Sequence, residues 1–259
     1  MNIHNNIRVI QISDCHLSSN QQQHFSGRHP DEYLHKVIND INRNETKDCL
    51  ILATGDLSND GSEISYQRLF HALSKLNKEV YTLAGNHDDL VSMSKHLSHN
   101  RIKNTSFLVK DNWLFLFLNT HVDKEEHGYL SSREISSAKT ILEKNQDKHV
   151  FIAMHHPPLH VNCAWIDRKN LQNSHDFMSL VSANKNIKAV TFGHVHQEYE
   201  TVLEGIHYYS CPSTCHQYLP NSDDYAIEQV EAGYRWFNLQ HNGAVQSGIT
   251  RLAKGTNAA

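Results

Sequence analysis

The 259-residue chain is long enough to bury a sizeable core in one large α/β domain, and 39% hydrophobic with 20% charged residues is the balance of a folded globular protein. No apolar run approaches the roughly 20 residues that cross a bilayer, and a formal charge of −4 without a Lys/Arg block argues against a long footprint on nucleic acid or a basic membrane-surface helix. The polar start, Met1 to Arg8, lacks the apolar stretch of a secretory signal, and Cys15, Cys49, Cys163, Cys211 and Cys215 show neither disulfide nor zinc-ribbon spacing, so a cytoplasmic location with reduced thiols is expected.

In chain order, residues 7–13 run apolar like a buried strand, and 31–44 read as a helix with Tyr33, Leu34, Val37, Ile38 and Ile41 on one face. A strand at 50–55 precedes a helix at 62–76, with Ile64, Leu69, Leu73 and Leu76 at near-helical spacing. A third strand at 80–85 leads to a helix at 89–97, and 106–110 pairs with 113–119 as a hairpin turning at Asp111 and Asn112. Ser131 and Glu134 make a capping box for a helix reaching Lys144. A strand at 150–154, a helix at 174–183 and a strand at 187–192 follow. The remainder is β-rich, at 199–203, 207–211, 234–239 and 244–252, the last two joined at His241-Asn242-Gly243. No repeat or linker interrupts this order, and one domain over 1–259 is expected.

Five of these strands stop on residues that bind metals. Asp14 and His16 follow the first strand, Asp56 the second, Asn86 and His87 the third, His155 the strand at 150–154, and His194 with His196 the strand at 187–192. Ligands of open α/β sheets bind beyond the carboxyl ends of the strands, so all five sets are expected at one end of one sheet. Carboxylate, amide and imidazole without thiolate form a donor set for two divalent metals acting on phosphate esters. Asp14 and His16 lie two apart, so in a locally extended backbone they grip one cation together, and the same holds for His194 and His196. Asp56 ends its strand alone and is the natural carboxylate to bridge two cations, while Asn86 adds a neutral oxygen that leaves each metal acidic enough to ionise water. Taken singly, Asp14-Cys15-His16, Gly55-Asp56 and Gly85-Asn86-His87-Asp88 also read as turns or caps. With 21 histidines in the chain, a lone His-x-His means little, so order and strand-end placement carry the argument.

Those motifs, together with Gly193-His194-Val195-His196, resemble the signature of the calcineurin-like metallophosphoesterase superfamily from Ile10 to His196. Met154-His155-His156-Pro157-Pro158, Cys163-Ala164-Trp165-Ile166-Asp167, Leu171-Gln172-Asn173, Pro212-Ser213-Thr214-Cys215 and Gly233-Tyr234-Arg235 are similar to bacterial class III 3',5'-cyclic nucleotide phosphodiesterases, with Ala232 a departure from that pattern. The resemblance implies a four-layer α-β-β-α sandwich of mixed sheets, the metallophosphoesterase fold. It implies two divalent metal ions, with iron favoured and manganese supporting activity, and hydrolysis of 3',5'-cyclic AMP to 5'-AMP by metal-activated water, which lowers intracellular cAMP. It places Asp14, His16 and His196 on one metal, Asn86, His155 and His194 on the other, and Asp56 between them. His87 is implied as the catalytic histidine, either a general acid or a stabiliser of phosphoryl charge, and His16, Asp56, Asn86, His87 and His196 as the residues that meet substrate. Of the neighbours His155 and His156, an extended backbone turns one away, and the resemblance favours His155 as the ligand.

The expected partner is a small molecule, cyclic nucleotide in and AMP out, with no nucleic acid and no membrane. The same metal site also serves glycerophosphodiesters, 2',3'-cyclic nucleotides, nucleotide-lipid pyrophosphates or phosphomonoesters, and a scaffold of this fold is the non-enzyme alternative. Cys15 reads as a buried, unreactive thiol. Phe25, Tyr129, His160, Trp165 and Tyr218 are candidates to stack on the base.

Overall fold

The structure, a computed structural model, describes residues 6–99 and 101–254, so Met1 to Asn5 of the polar start lie outside the described residues. The chain begins β1 (Ile7–Ile12), α1 (Pro30–Asn44), β2 (Leu50–Thr54), α2 (Glu63–Ser74), β3 (Val80–Leu83), α3 (Leu90–Leu97) and β4 (Ile102–Lys103). It continues with β5 (Phe107–Lys110), β6 (Trp113–Phe117), α4 (Ser132–Glu143), β7 (His149–Ala153), α5 (Ala164–Asp167), α6 (Ser174–Ser182) and β8 (Ile187–Phe192). It closes with β9 (Glu200–Leu203), β10 (Ile206–Ser210), β11 (Gln217–Tyr218), β12 (Ile227–Glu228), β13 (Gly233–Leu239) and β14 (Val245–Arg251).

Two six-stranded sheets result, ordered β14-β13-β1-β2-β3-β4 and β5-β6-β7-β8-β10-β9. β1 to β4 run parallel, with β13 antiparallel to β1 and β14 antiparallel to β13. In the second sheet β6, β7, β8 and β10 run parallel between the antiparallel edges β5 and β9. Strands covered on both faces read as continuous apolar runs, which is why they were legible by run and not by alternation.

The period of two still sorts each strand's side chains. Val9, Leu50, Leu52, Tyr81 and Phe237 from the first sheet meet Trp113, Phe115, Phe151 and Tyr209 from the second in a core between the sheets. The other face of the first sheet, with Ile10, Ile12, Ile51 and Ala53, packs on Leu34, Val37, Leu69, Leu73 and Met93 of α1 to α3. Leu114, Leu116, Val150 and Ile152 of the second pack on Ala138, Leu142, Phe177 and Leu180 of α4 and α6. The order is helix, sheet, sheet, helix, and each large apolar side chain buried in it contributes about 1.5–3 kcal/mol. Among the described residues no helix is long and apolar enough to cross a membrane.

Three sequence expectations need correction. The five ligand-bearing strands do not share a sheet, because β1, β2 and β3 lie in the first and β7 and β8 in the second. Apolar runs announce strands but carry no label for the sheet each joins. Ile64 is 50% exposed, since it lies off the stripe of α2 that buries Tyr66, Leu69 and Leu73. Ser131 caps α4 by accepting from Glu134 N at 3.1 Å, but the Glu134 carboxylate accepts from Asn119 N at 3.0 Å, tying the helix to the loop after β6 instead of closing the box.

Candidate metal centre

The carboxyl ends of β1, β2, β3, β7 and β8 meet across the seam between the sheets. Asp14, His16, Asp56, His194 and His196 all sit at positive φ, between 48° and 68°. The extended backbone expected around Asp14 to His16 and His194 to His196 is therefore absent; each pair lies in tight left-handed turns. Such residues cost roughly 1–2 kcal/mol apiece and cluster where function needs them. Backbone bonds stitch the turns, from Asp14 N to Gly55 O at 3.0 Å and from His16 N to Asp56 O at 2.9 Å. Two glycines let the turns approach. A Cβ on Gly85 would be driven into the Asp56 carboxylate, and one on Gly193 would meet Ser13 Oγ and lie 3.0 Å from Asp14 Oδ2.

All eight expected site residues converge. Asp14, His16 and His196 each place a ligand atom within 4.8 Å of the others, as do Asp14, Asp56 and His155, and His16, Asp56 and His87. Asp56 faces both ways, with Oδ2 3.8 Å from His16 Nε2 and Oδ1 3.4 Å from His155 Nε2. Asn86 Oδ1 lies 3.0 Å from His194 Nδ1 and 3.3 Å from His155 Nε2. His194 and His196 separate, His194 Nδ1 facing Asn86 Oδ1 while His196 Nε2 stands 3.3 Å from Asp14 Oδ1. His155 and His156 were expected to diverge, yet both are fully buried with ring centroids 4.8 Å apart. His87 is exposed, at the open side of His16, with ring centroids 5.0 Å apart.

Burial works to raise the Asp14 and Asp56 carboxyls, but contact with His196 and His155 respectively outweighs it and holds both ionised. Burial drives His16 and His194 well below the usual histidine range. His155 is the exception: burial would lower it, but the Asp56 and Asp14 charges and the Thr54 carbonyl push it up to about 9.

These residues fit a pair of divalent metals. His16 Nδ1 faces Asn59 Oδ1 at 3.3 Å and His196 Nδ1 faces the His216 carbonyl at 3.0 Å, so each outer nitrogen carries the hydrogen and each Nε2 a lone pair. Those two Nε2 atoms lie 3.1 Å apart, an opposition that a shared cation resolves. Asp14 and Asp56 have histidines but no lysine or arginine among their ion pairs in the described residues. Oxygen and imidazole donors without thiolate suit iron or manganese and accept zinc.

Sequence reasoning passed over several supports. Asp88 is buried and accepts from Gly85 N, Leu57 N, Ser58 N and Tyr66 Oη, at 2.8 Å, 3.2 Å, 2.9 Å and 2.8 Å, binding the loop of Asp56 to that of Asn86. The Gly85-Asn86-His87-Asp88 motif contained its signal. Asn59 holds both His16 and His87 though no pattern marked it, while Ser213, whose Oγ donates to Asp14 O at 2.7 Å, lies in the Pro212-Ser213-Thr214-Cys215 stretch of the resemblance. Of the stacking candidates, Phe25 lies 6.0 Å from His16 and Tyr218 stacks on His196 at 4.1 Å, with Trp165 4.8 Å behind Tyr218. His160 lines a cavity of about 770 Å³ beside the loop after Pro158, and Tyr129 is 48% exposed. Cys15 is buried, and burial pushes its thiol far above the ordinary range.

The family model described as calcineurin-like phosphoesterase matches residues 7–198. A 3',5'-cyclic-nucleotide phosphodiesterase, alr5338, of Nostoc sp. is 36% identical over 95% of this chain and 92% of that protein. The 3',5'-cyclic adenosine monophosphate phosphodiesterase CpdA of Haemophilus influenzae is 30% identical over 95% of this chain and 90% of that protein. A dimetal phosphatase from Danio rerio shares the fold with a TM-score of 0.67 at 14% identity, over 95% of this chain and 99% of that one.

Proposed function

The chain belongs to the calcineurin-like phosphoesterase family, and from that premise we propose that it is a phosphodiesterase that opens 3',5'-cyclic AMP to 5'-AMP at a pair of divalent cations. The observation that carries this reading is Asp56, which faces His16 with one carboxylate oxygen and His155 with the other. The relatives named for cyclic nucleotides, matched along 95% of the chain, support the substrate. Residues 1–259 are read as one domain, since the site draws on both sheets.

In this reading Asp14, His16 and His196 would hold one cation, Asn86, His155 and His194 the other, and Asp56 would serve both. Bound there, the pair supplies Lewis acidity that eases ionisation of water and draws charge from the phosphoryl oxygens. The chain's own residues do the rest. His16, Asp56, Asn86 and His196 line the floor on which the phosphoryl group is oriented. The outer contacts of His16, His155 and His196 fix each ring so that Nε2 faces inward. His87 stands at the open rim, held by its backbone N–H on Asp56 Oδ1 at 2.9 Å, where it protonates the departing 3' oxygen. Phe25, beside His16, is placed to pack against the nucleoside. Iron is the favoured metal and manganese an alternative that supports activity.

A substrate panel tests the reading. With manganese added, 3',5'-cyclic AMP is expected to outpace 2',3'-cyclic AMP, glycerophosphodiesters and bis(p-nitrophenyl) phosphate in kcat/KM. Preference for any of the others would replace the substrate while leaving the metal site in place.

A further inference from the structure

Three imidazoles of the centre rest their outer nitrogen on an oxygen. His16 uses Asn59 Oδ1 at 3.3 Å, His155 the Thr54 carbonyl at 2.8 Å, and His196 the His216 carbonyl at 3.0 Å. His194 is reversed. Its Nδ1 turns inward, 3.0 Å from Asn86 Oδ1, and its Nε2 is buried without a hydrogen-bond partner. A neutral imidazole that offers the Nδ1 lone pair carries its hydrogen on Nε2, so His194 holds a buried donor that needs an acceptor.

A second unsatisfied nitrogen lies beside it. His156 is fully buried, its ring centroid is 4.8 Å from that of His194, and its Nε2 is also buried without a partner. One ring nitrogen from each of His155, His156 and His194 lies within 4.8 Å of the others. His156 Nδ1 is 2.8 Å from Thr120 Oγ1, and the His156 backbone N–H points at the same oxygen at 3.4 Å, which marks that hydroxyl oxygen as an acceptor. That oxygen has a second lone pair for Nδ1–H, and in the tautomer that donates there Nε2 is left as the free lone pair.

We propose that His156 is a positioning residue for His194: its Nε2 accepts the His194 Nε2–H through one buried water, and holds His194 in the tautomer that presents Nδ1 to a cation. Thr120 sets the His156 ring in turn. The inference rests on the cation pair proposed above. It extends the outer shell of that pair from oxygen acceptors to a histidine relay, in keeping with the general need of a metal-bound histidine for a partner on its second nitrogen.

Cobalt titration of the metal-stripped full chain tests this without reference to turnover. Relative to wild type, His156→Leu should weaken one of two cobalt equivalents by roughly 10–100-fold and shift the visible cobalt absorption. His156→Gln, which keeps an acceptor, should recover most of both, and Thr120→Val should fall between. In zinc-loaded protein with 15N-labelled histidine, His194 should appear as the Nε2–H tautomer. His156→Leu with wild-type cobalt affinity and spectrum overturns the proposal, as does an Nδ1–H His194 in the wild type. Equal loss in the Leu and Gln variants, or loss of a third cobalt equivalent, makes His156 a packing residue or a ligand and also overturns it. If His156→Leu does not fold, Thr120→Val decides: wild-type cobalt affinity there rejects the relay. A wild-type chain that binds no divalent cation would sink the cation pair itself, a result distinct from all of these.

Discussion

The carbonyl oxygen of Asn59 lies 3.0 Å from His87 Nδ1, and that contact decides which proton His87 can give. With its Nδ1 hydrogen committed to Asn59, a neutral ring presents only a lone pair at Nε2, and Nε2 becomes a donor only in the imidazolium. The neutral-ring role as a stabiliser of phosphoryl charge therefore loses ground to the general acid. His87→Ala should keep its metals and lose about 10²–10⁴-fold in kcat on 3',5'-cyclic AMP. The deficit should shrink on bis(p-nitrophenyl) phosphate, whose leaving group needs no proton. An equal loss on both substrates would remove the acid role.

Asp56→Ala should disturb both cations, because its two oxygens face opposite sides of the centre. Elemental analysis of the purified variant checks this. Loss of one equivalent with the second held at wild-type affinity would argue against a bridge.

Gly85→Ala should cost about 1–3 kcal/mol of stability by forcing a methyl group into a packed turn, and it should weaken metal binding because the methyl displaces the Asp56 carboxylate. Thermal unfolding and metal content read the two effects separately. A variant with wild-type Tm and metal content would show that the turn has slack.

In the metal-free chain the His155 pKa of about 9 stands above the roughly 6.5 of an unfolded histidine. Its contribution to stability is therefore fully present below about pH 6.5 and is lost as pH rises through about 9. Asp56, held well below the carboxylate range, works in the opposite direction, its contribution being present above about pH 4 and lost as pH falls through its folded value. A cation must displace the His155 proton, so metal affinity should climb with pH until about 9. Manganese titrations from pH 6 to 10 check the sign, and an affinity flat across that range would contradict it.

Much of this was legible in the residues. The apolar runs that became β1, β2, β3, β7 and β8 ended within two residues of their expected ends, and the polar residues beyond them met. What the runs could not carry was the sheet each strand joins, since pairing is a long-range choice. Nor could spacing foresee that His194 and His196 would separate: a two-residue interval implies one side only if the backbone is extended, and both residues sit at positive φ. Asn59 and Thr120 are single polar residues in loops, and only the folded chain gives them partners.

Product analysis by 31P NMR of 3',5'-cyclic AMP incubated with the manganese-reconstituted chain tests the central claim most directly. The account predicts 5'-AMP as the sole product, with turnover abolished by chelation and restored by manganese. Formation of 3'-AMP, or no turnover by protein that carries two bound cations, would contradict it.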